Sequence, residues 1–231
     1  AQQPFWELVH YPDAPVIGRG FQPPWDINSV SDPELLWDGT FFRLYYSGVG
    51  IDGLSRILLA YSDDLTNWYP AGIVLEPGET GFDKDGVSDP DIIEVNGRYK
   101  LFYTAKSNQW QQIGMVESDN GVIFQGERKF ILGPSFNDKK FDYIGVGEPS
   151  VVFHHNQYQL MYRGFDGSNW YRLGFAFSTD GQDFRRITNQ EGFGENFGLG
   201  PHGFDDGGAT EPEIWVGNDN DVRLLYTSLH Y

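Results

Sequence analysis

Four acidic residues in this chain stand directly before a proline, and each pair opens an apolar run. The four stretches are "SVSDPELL" (29–36), "GVSDPDII" (86–93), "GVGEPSVV" (145–152) and "GATEPEIW" (208–215). Asp32, Asp89, Glu148 and Glu211 therefore recur at spacings of 57, 59 and 63 residues. An aromatic-Asp pair precedes each one, at 25–26, 82–83, 141–142 and 204–205. Self-similarity at a fixed period is the mark of a repeat architecture, in which one supersecondary unit is used several times.

Each unit continues as a hairpin. "PELLWDGTFFRLYYSG" and "PDIIEVNGRYKLFYTA" turn at Asp-Gly and Asn-Gly, the strongest short hairpin signals. "PSVVFHHNQYQLMYRG" and "PEIWVGNDNDVRLLYTS" repeat the plan with other turns. The first three units add a strand, a polar turn and a further strand, as in "SRILLAYSDDLTNWYPAGIVLEP". Four-stranded antiparallel units of this size, with almost no helical periodicity, predict an all-β chain and a β-propeller. The units fall at about 25–81, 82–140, 141–203 and 204–231 of a single domain. Residues 1–24 are expected to close the ring, since "FWELVHYPDAPVIGRG" resembles an outermost strand. The last unit carries two strands, so a closed four-bladed ring and a ring with a further blade both stay open.

Composition narrows the partners. A formal net charge of −17, with 16 basic residues and no basic run, excludes a nucleic-acid or anionic-membrane surface. No stretch approaches the roughly 20 apolar residues of a membrane helix, so no membrane insertion is expected. With no cysteine, disulfides and thiolate metal sites are excluded. The chain opens at "AQQPFW" without Met, which leads to the expectation of a secreted or periplasmic protein. Aromatics make up 16% of residues; most belong to a β core, and some are candidates for stacking on sugar rings.

The acid-Pro pairs carry two readings. Pro suits a position where its missing N–H costs no ladder bond, which makes the motif architectural. Four carboxylates at one channel mouth would also repel one another, raise some pKa values and supply an acid and a base. The loops after each second strand return to the same rim. Arg163, Asp166, Trp110 and Trp170 are therefore expected beside the acids, with Arg163 standing where other units have Ser47, Thr104 and Thr227. His154-His155 sits at a hairpin turn and lacks ligand spacing, and His202 beside Asp205 and Asp206 reads as a solvated turn. No metal ligand is assigned.

The order Asp-Pro, Asp-Pro, Glu-Pro, with the texture "FD…GVSDPDII…NGRYKLFYTA" and "YSDDLTNWYPAG", resembles the five-bladed propeller glycosidases. Family 43 is the most similar, with relatives in families 32, 68, 117 and 130. The resemblance implies an inverting glycosidase of arabinose- or xylose-containing glycans, active in polysaccharide degradation on an oligo- or polysaccharide substrate. It implies Asp32 as general base, Asp89 as the pKa-tuning carboxylate and Glu148 as general acid. Arg163, Trp110, Trp170, Asp166 and Glu211 would then contact substrate, with Glu211 a rival for the acid role. No cofactor is implied beyond a Ca²⁺ that related propellers sometimes hold in the channel. The acid role for Glu148 requires that Arg163 does not pair with it. A carbohydrate-binding or interaction propeller without turnover is one alternative. A retaining fructosidase-like enzyme is another, although its Asn-Asp-Pro-Asn-Gly signature is missing from "SDPEL".

Overall fold

The computed structural model describes residues 15–137, 140–168, 171–187, 195–197 and 207–229. Its described elements are strands, as the period-2 patterning predicts. The first unit is an antiparallel sheet of β1 (Ser29–Trp37), β2 (Phe42–Val49), β3 (Ser55–Ser62) and β4 (Tyr69–Leu75), in that order. The second unit contains β5 (Gly86–Val95), β6 (Arg98–Ser107), β7 (Trp110–Ser118) and β8 (Lys129–Leu132). The third contains β9 (Gly145–His154), β10 (Gln157–Phe165), β11 (Tyr171–Ser178) and the short β12 (Arg185–Arg186), with β13 (Glu195–Phe197) also pairing with β11. The fourth is the hairpin β14 (Gly208–Val216) and β15 (Val222–Leu229). Single parallel bridges, Gln111 with Gly145 and Tyr171 with Gly208, link units two to three and three to four.

The core lies between units, as expected of sheets stacked face to face. One apolar cluster joins Tyr45, Leu59 and Leu75 of the first unit to Val87, Leu101 and Tyr103 of the second. Another joins Phe102, Ile113 and Met115 to Val146, Leu160 and Tyr162. A smaller one joins Met161 and Leu173 to Ala209 and Ile214. This all-β architecture is the propeller class expected from the repeat. Of the segment expected to close the ring, residues 1–14 lie outside the described residues. Residues 15–28 form turns, and Ile17, Phe21 and Trp25 pack on Leu58 and Ala60 of the first unit.

The aromatic-Asp pairs are structural. Asp26, Asp83 and Asp142 are buried, and each accepts a hydrogen bond from a tyrosine on the second strand of its own unit. The bonds are Tyr46 Oη at 3.0 Å, Tyr103 Oη at 3.0 Å and Tyr162 Oη at 3.2 Å. Arg128 (2.7 Å) and Arg186 (2.7 Å) neutralise Asp83 and Asp142, whereas the Gln22 backbone N–H (2.9 Å) serves Asp26. Buried carboxylates persist only when paired in this way. The tyrosine ring crosses the third strand so closely that a Cβ on Gly114 would stand 2.6 Å from Tyr103 Cζ, and one on Gly174 2.4 Å from Tyr162 Cζ. The fourth aromatic-Asp pair, Phe204-Asp205, lies outside the described residues, as does His202.

Candidate active site

Each acid-Pro pair forms a β-bulge, with two residues facing one on the neighbouring strand. Asp32-Pro33 lies opposite Tyr46, Asp89-Pro90 opposite Tyr103, Glu148-Pro149 opposite Tyr162 and Glu211-Pro212 opposite Tyr226. Proline at the bulge loses no ladder hydrogen bond. The four acids all adopt left-handed backbone conformations, with φ of 52°, 51°, 50° and 49° in chain order. A non-glycine residue pays roughly 1–3 kcal/mol for such a conformation. Its fourfold recurrence makes the bulge part of the architecture. The bulge also brings all four acids to one cavity of about 490 Å³, lined by Asp32, Asp89, Glu148 and Glu211 together with their prolines.

A second row of carboxylates lies two residues further along the same strands. Glu34, Asp91 and Glu213 bring oxygens within 4.8 Å of one another, and Ser150 holds the equivalent place in the third unit. Ser150 Oγ lies 3.3 Å from Glu213 Oε2, and the Val151 N–H donates to Asp91 Oδ2 at 3.2 Å. Burial pushes all three carboxyls up; Asp91 and Glu213 add to the rise at Glu34, and Glu213 to that at Asp91. Carboxyls this close and this buried disfavour one another's ionisation. Their regular place after proline, in "DPE", "DPD" and "EPE", was the signal for them in the repeat alignment.

The rim acids have unequal environments. Burial, then the charge of Asp32 and a hydrogen bond shared with it, push Asp89 up to about 7, with Glu148 adding to the rise and the Thr104 hydroxyl opposing it. Asp32 accepts from Ser31 Oγ at 2.7 Å. Glu211 is exposed and accepts from Thr227 Oγ1 at 2.7 Å. Glu148 is held from three sides. Arg163 Nε lies 2.8 Å from its Oε1, while Thr210 Oγ1 (2.5 Å) and the Glu211 N–H (2.8 Å) both donate to its Oε2. The Arg163 Nε–H is not directed along a hydrogen bond, so this contact is a charge pair. The condition attached to Glu148 as acid, freedom from Arg163, is therefore not met.

The other sequence-predicted residues are placed as follows. Arg163 reaches the site through Glu148, with its Nη2 donating to Gln111 Oε1 at 2.8 Å and its guanidinium 4.8 Å from the Tyr171 ring centre. Asp166 shapes its own loop, accepting from the Ser168 N–H at 2.9 Å and pairing with Arg172 at 3.2 Å. Trp110 opens β7 with its ring edge-on to Phe136 at 5.1 Å. Neither Asp166 nor Trp110 lines the cavity, and Trp170 lies outside the described residues. His154 and His155 stack on each other at the far end of β9, away from the acids.

No family model matches the chain. It is 32% identical to the β-1,2-mannobiose phosphorylase of Thermoanaerobacter sp. (strain X514) over 167 residues, 71% of this chain and 50% of that protein. The chain spans about half the length of the curated relatives it matches. Among solved structures it superposes on a thermostable family-43 glycoside hydrolase with a TM-score of 0.70 and 17% identity, covering 90% of this chain and 68% of the other. It also superposes on a structure from the GH130 family of mannoside phosphorylases and glycoside hydrolases that target β-1,2-mannosidic linkages in Candida mannan. There the TM-score is 0.73 and the identity 18%, over 98% of this chain and 72% of the other. The chain thus shares the propeller fold of family-43 and GH130 proteins, and about half of a β-1,2-mannobiose phosphorylase is similar to it in sequence.

Proposed function

We propose that the chain carries the active site of a glycoside hydrolase acting on mannosides, with Asp89 as proton donor, Asp32 as its base partner and water as acceptor. The observation that carries this reading is the Asp32–Asp89 pair: two carboxyls in contact at the cavity, where burial and the Asp32 charge push Asp89 up to about 7. A donor must be protonated at working pH and its partner ionised, and like charges in contact create that division.

The relatives' names direct the substrate toward mannosides and away from the pentose glycans suggested by family 43. The charge of the cavity supports water over phosphate as the acceptor. Six carboxylates line its described walls, from Asp32, Glu34, Asp89, Glu148, Glu211 and Glu213, and no lysine, arginine or histidine does. Arg163 is already committed to Glu148. A phosphate dianion would meet a field of its own sign there, whereas water and sugar hydroxyls meet acceptors.

Inversion is the stereochemistry we propose. It rests on the family resemblance, since an inverting pair stands roughly 6.5–9.5 Å apart and Asp32 and Asp89 are in contact here. A stacking role for Trp110 at the outer rim belongs to the same proposal. The test is incubation with β-1,2-mannobiose with and without inorganic phosphate, following products by chromatography and the first-formed anomer by NMR. Free mannose in both conditions is expected. Mannose 1-phosphate that appears only with phosphate would replace hydrolysis by phosphorolysis, and binding without product would leave a carbohydrate-binding propeller.

A further inference from the structure

The rim position of the second strand carries a hydroxyl in three of the four units: Ser47, Thr104 and Thr227. In the first two, that hydroxyl accepts the backbone N–H of the next unit's acid. Ser47 Oγ takes Asp89 N–H at 2.9 Å, and Thr104 Oγ1 takes Glu148 N–H at 2.8 Å. The third unit has Arg163 there, and a guanidinium has no acceptor atom. The Glu211 N–H is instead accepted by the side chain of Glu148, which also takes the Thr210 hydroxyl. One substitution in the repeat has thus changed the task of a neighbouring carboxylate. Glu148 now ties β9 to β14, and the Arg163 guanidinium lies 2.8 Å from its other oxygen.

We propose that Arg163 is a positioning residue: it holds Glu148 as a clasp between the third and fourth units, withdraws it from proton donation and leaves Asp32 and Asp89 as the reacting pair. The role assigned to the pair rests on the glycosidase reading; the clasp itself does not. A general acid must present an O–H to the leaving oxygen, whereas the Glu148 oxygens are occupied by the Thr210 hydroxyl, the Glu211 N–H and the Arg163 guanidinium. The groups acting on Asp89 are Asp32 from β1 and Glu148 from β9, while β2 and β6 face it with the hydroxyl residues Ser47 and Thr104. Arg163 therefore acts on Asp89 through Glu148, by balancing its charge.

Three variants of the whole chain test this: Arg163→Thr, Arg163→Lys and Glu148→Gln. The readout is the Asp89 carboxyl titration by carbon NMR, assigned by its disappearance in Asp89→Asn. Arg163→Thr restores the hydroxyl of the other units, so the Glu211 N–H keeps an acceptor. With the cation gone, Asp89 should titrate roughly half a pH unit or more higher. Arg163→Lys keeps the charge and should hold the titration in place. Glu148→Gln keeps an acceptor oxygen but loses the anion, and should move Asp89 down. A folded Arg163→Thr protein with an unmoved Asp89 overturns the proposal. Should that variant fail to fold, an unmoved Asp89 in Glu148→Gln overturns it as well. On an active enzyme, a loss in Glu148→Gln confined to substrates with poor leaving groups would mark Glu148 as the donor and overturn it too. If the titrations move as expected while no glycoside is cleaved, the clasp stands and the hydrolase reading falls.

Discussion

Replacing Asp89 by Asn should make the protein more stable at pH 8 while removing the proposed proton donor. The ordinary value of this carboxyl is 3.8, and in the folded chain it is pushed up to about 7. In the unfolded chain it ionises near its ordinary value, so between those two points the folded state binds more protons and stability falls as pH rises. Three pH units at 1.36 kcal/mol each give about 4 kcal/mol of destabilisation once pH exceeds 7. Water reaches part of the side chain in the cavity, so roughly 2 kcal/mol is the working expectation. Asn never ionises, and it tolerates the left-handed backbone that this position adopts. Urea unfolding at pH 5 and pH 8 measures the effect. The stability of Asn relative to Asp should rise between these pH values by on the order of 1–3 kcal/mol. Turnover on natural oligosaccharides should fall by about 10²–10⁴-fold, and much less on aryl glycosides whose leaving group needs no proton. A stability difference that is the same at both pH values would refute the assignment of a raised Asp89.

Asp32→Asn removes the nearest charge acting on Asp89, so the Asp89 titration should move down, as NMR can read. Glu34, Asp91 and Glu213 are also raised, so the wild-type melting temperature should fall as pH climbs above the ordinary carboxyl range, and Asp91→Asn should flatten that slope in a calorimetric pH series. Arg128→Met leaves the buried Asp83 with only its tyrosine and should cost roughly 2–4 kcal/mol in urea unfolding. Gly114→Ala forces a methyl against Tyr103 and Phe82 and should cost roughly 1–3 kcal/mol, seen as a lower melting temperature.

Much of the architecture was legible in the linear chain because it is local. The Asp-Gly and Asn-Gly turns, the alternating strands and the recurring acid-Pro pairs depend on neighbours in sequence, and a fourfold recurrence turns weak local signals into one repeated unit. Recurrence also placed Asp32, Asp89, Glu148 and Glu211 together, since equivalent positions of stacked units share one end of the channel. The carboxylates after the prolines, Glu34, Asp91 and Glu213, are equally periodic, but only the tertiary structure shows that Glu34 and Glu213 line the cavity and that the buried Asp91 meets them. What recurrence could not decide is how four equivalent acids differ. That depends on side-chain contacts the repeat does not specify: Arg163 against Glu148 within the third unit, Thr104 against the Glu148 N–H of the next unit, and Asp32 against Asp89 across the first two units. Proton affinity is set by burial and by charges a few ångströms away. The sequence alone therefore determined that the four acid-Pro carboxylates meet, and only the tertiary structure decided which of them has its proton affinity raised by burial and neighbouring charge.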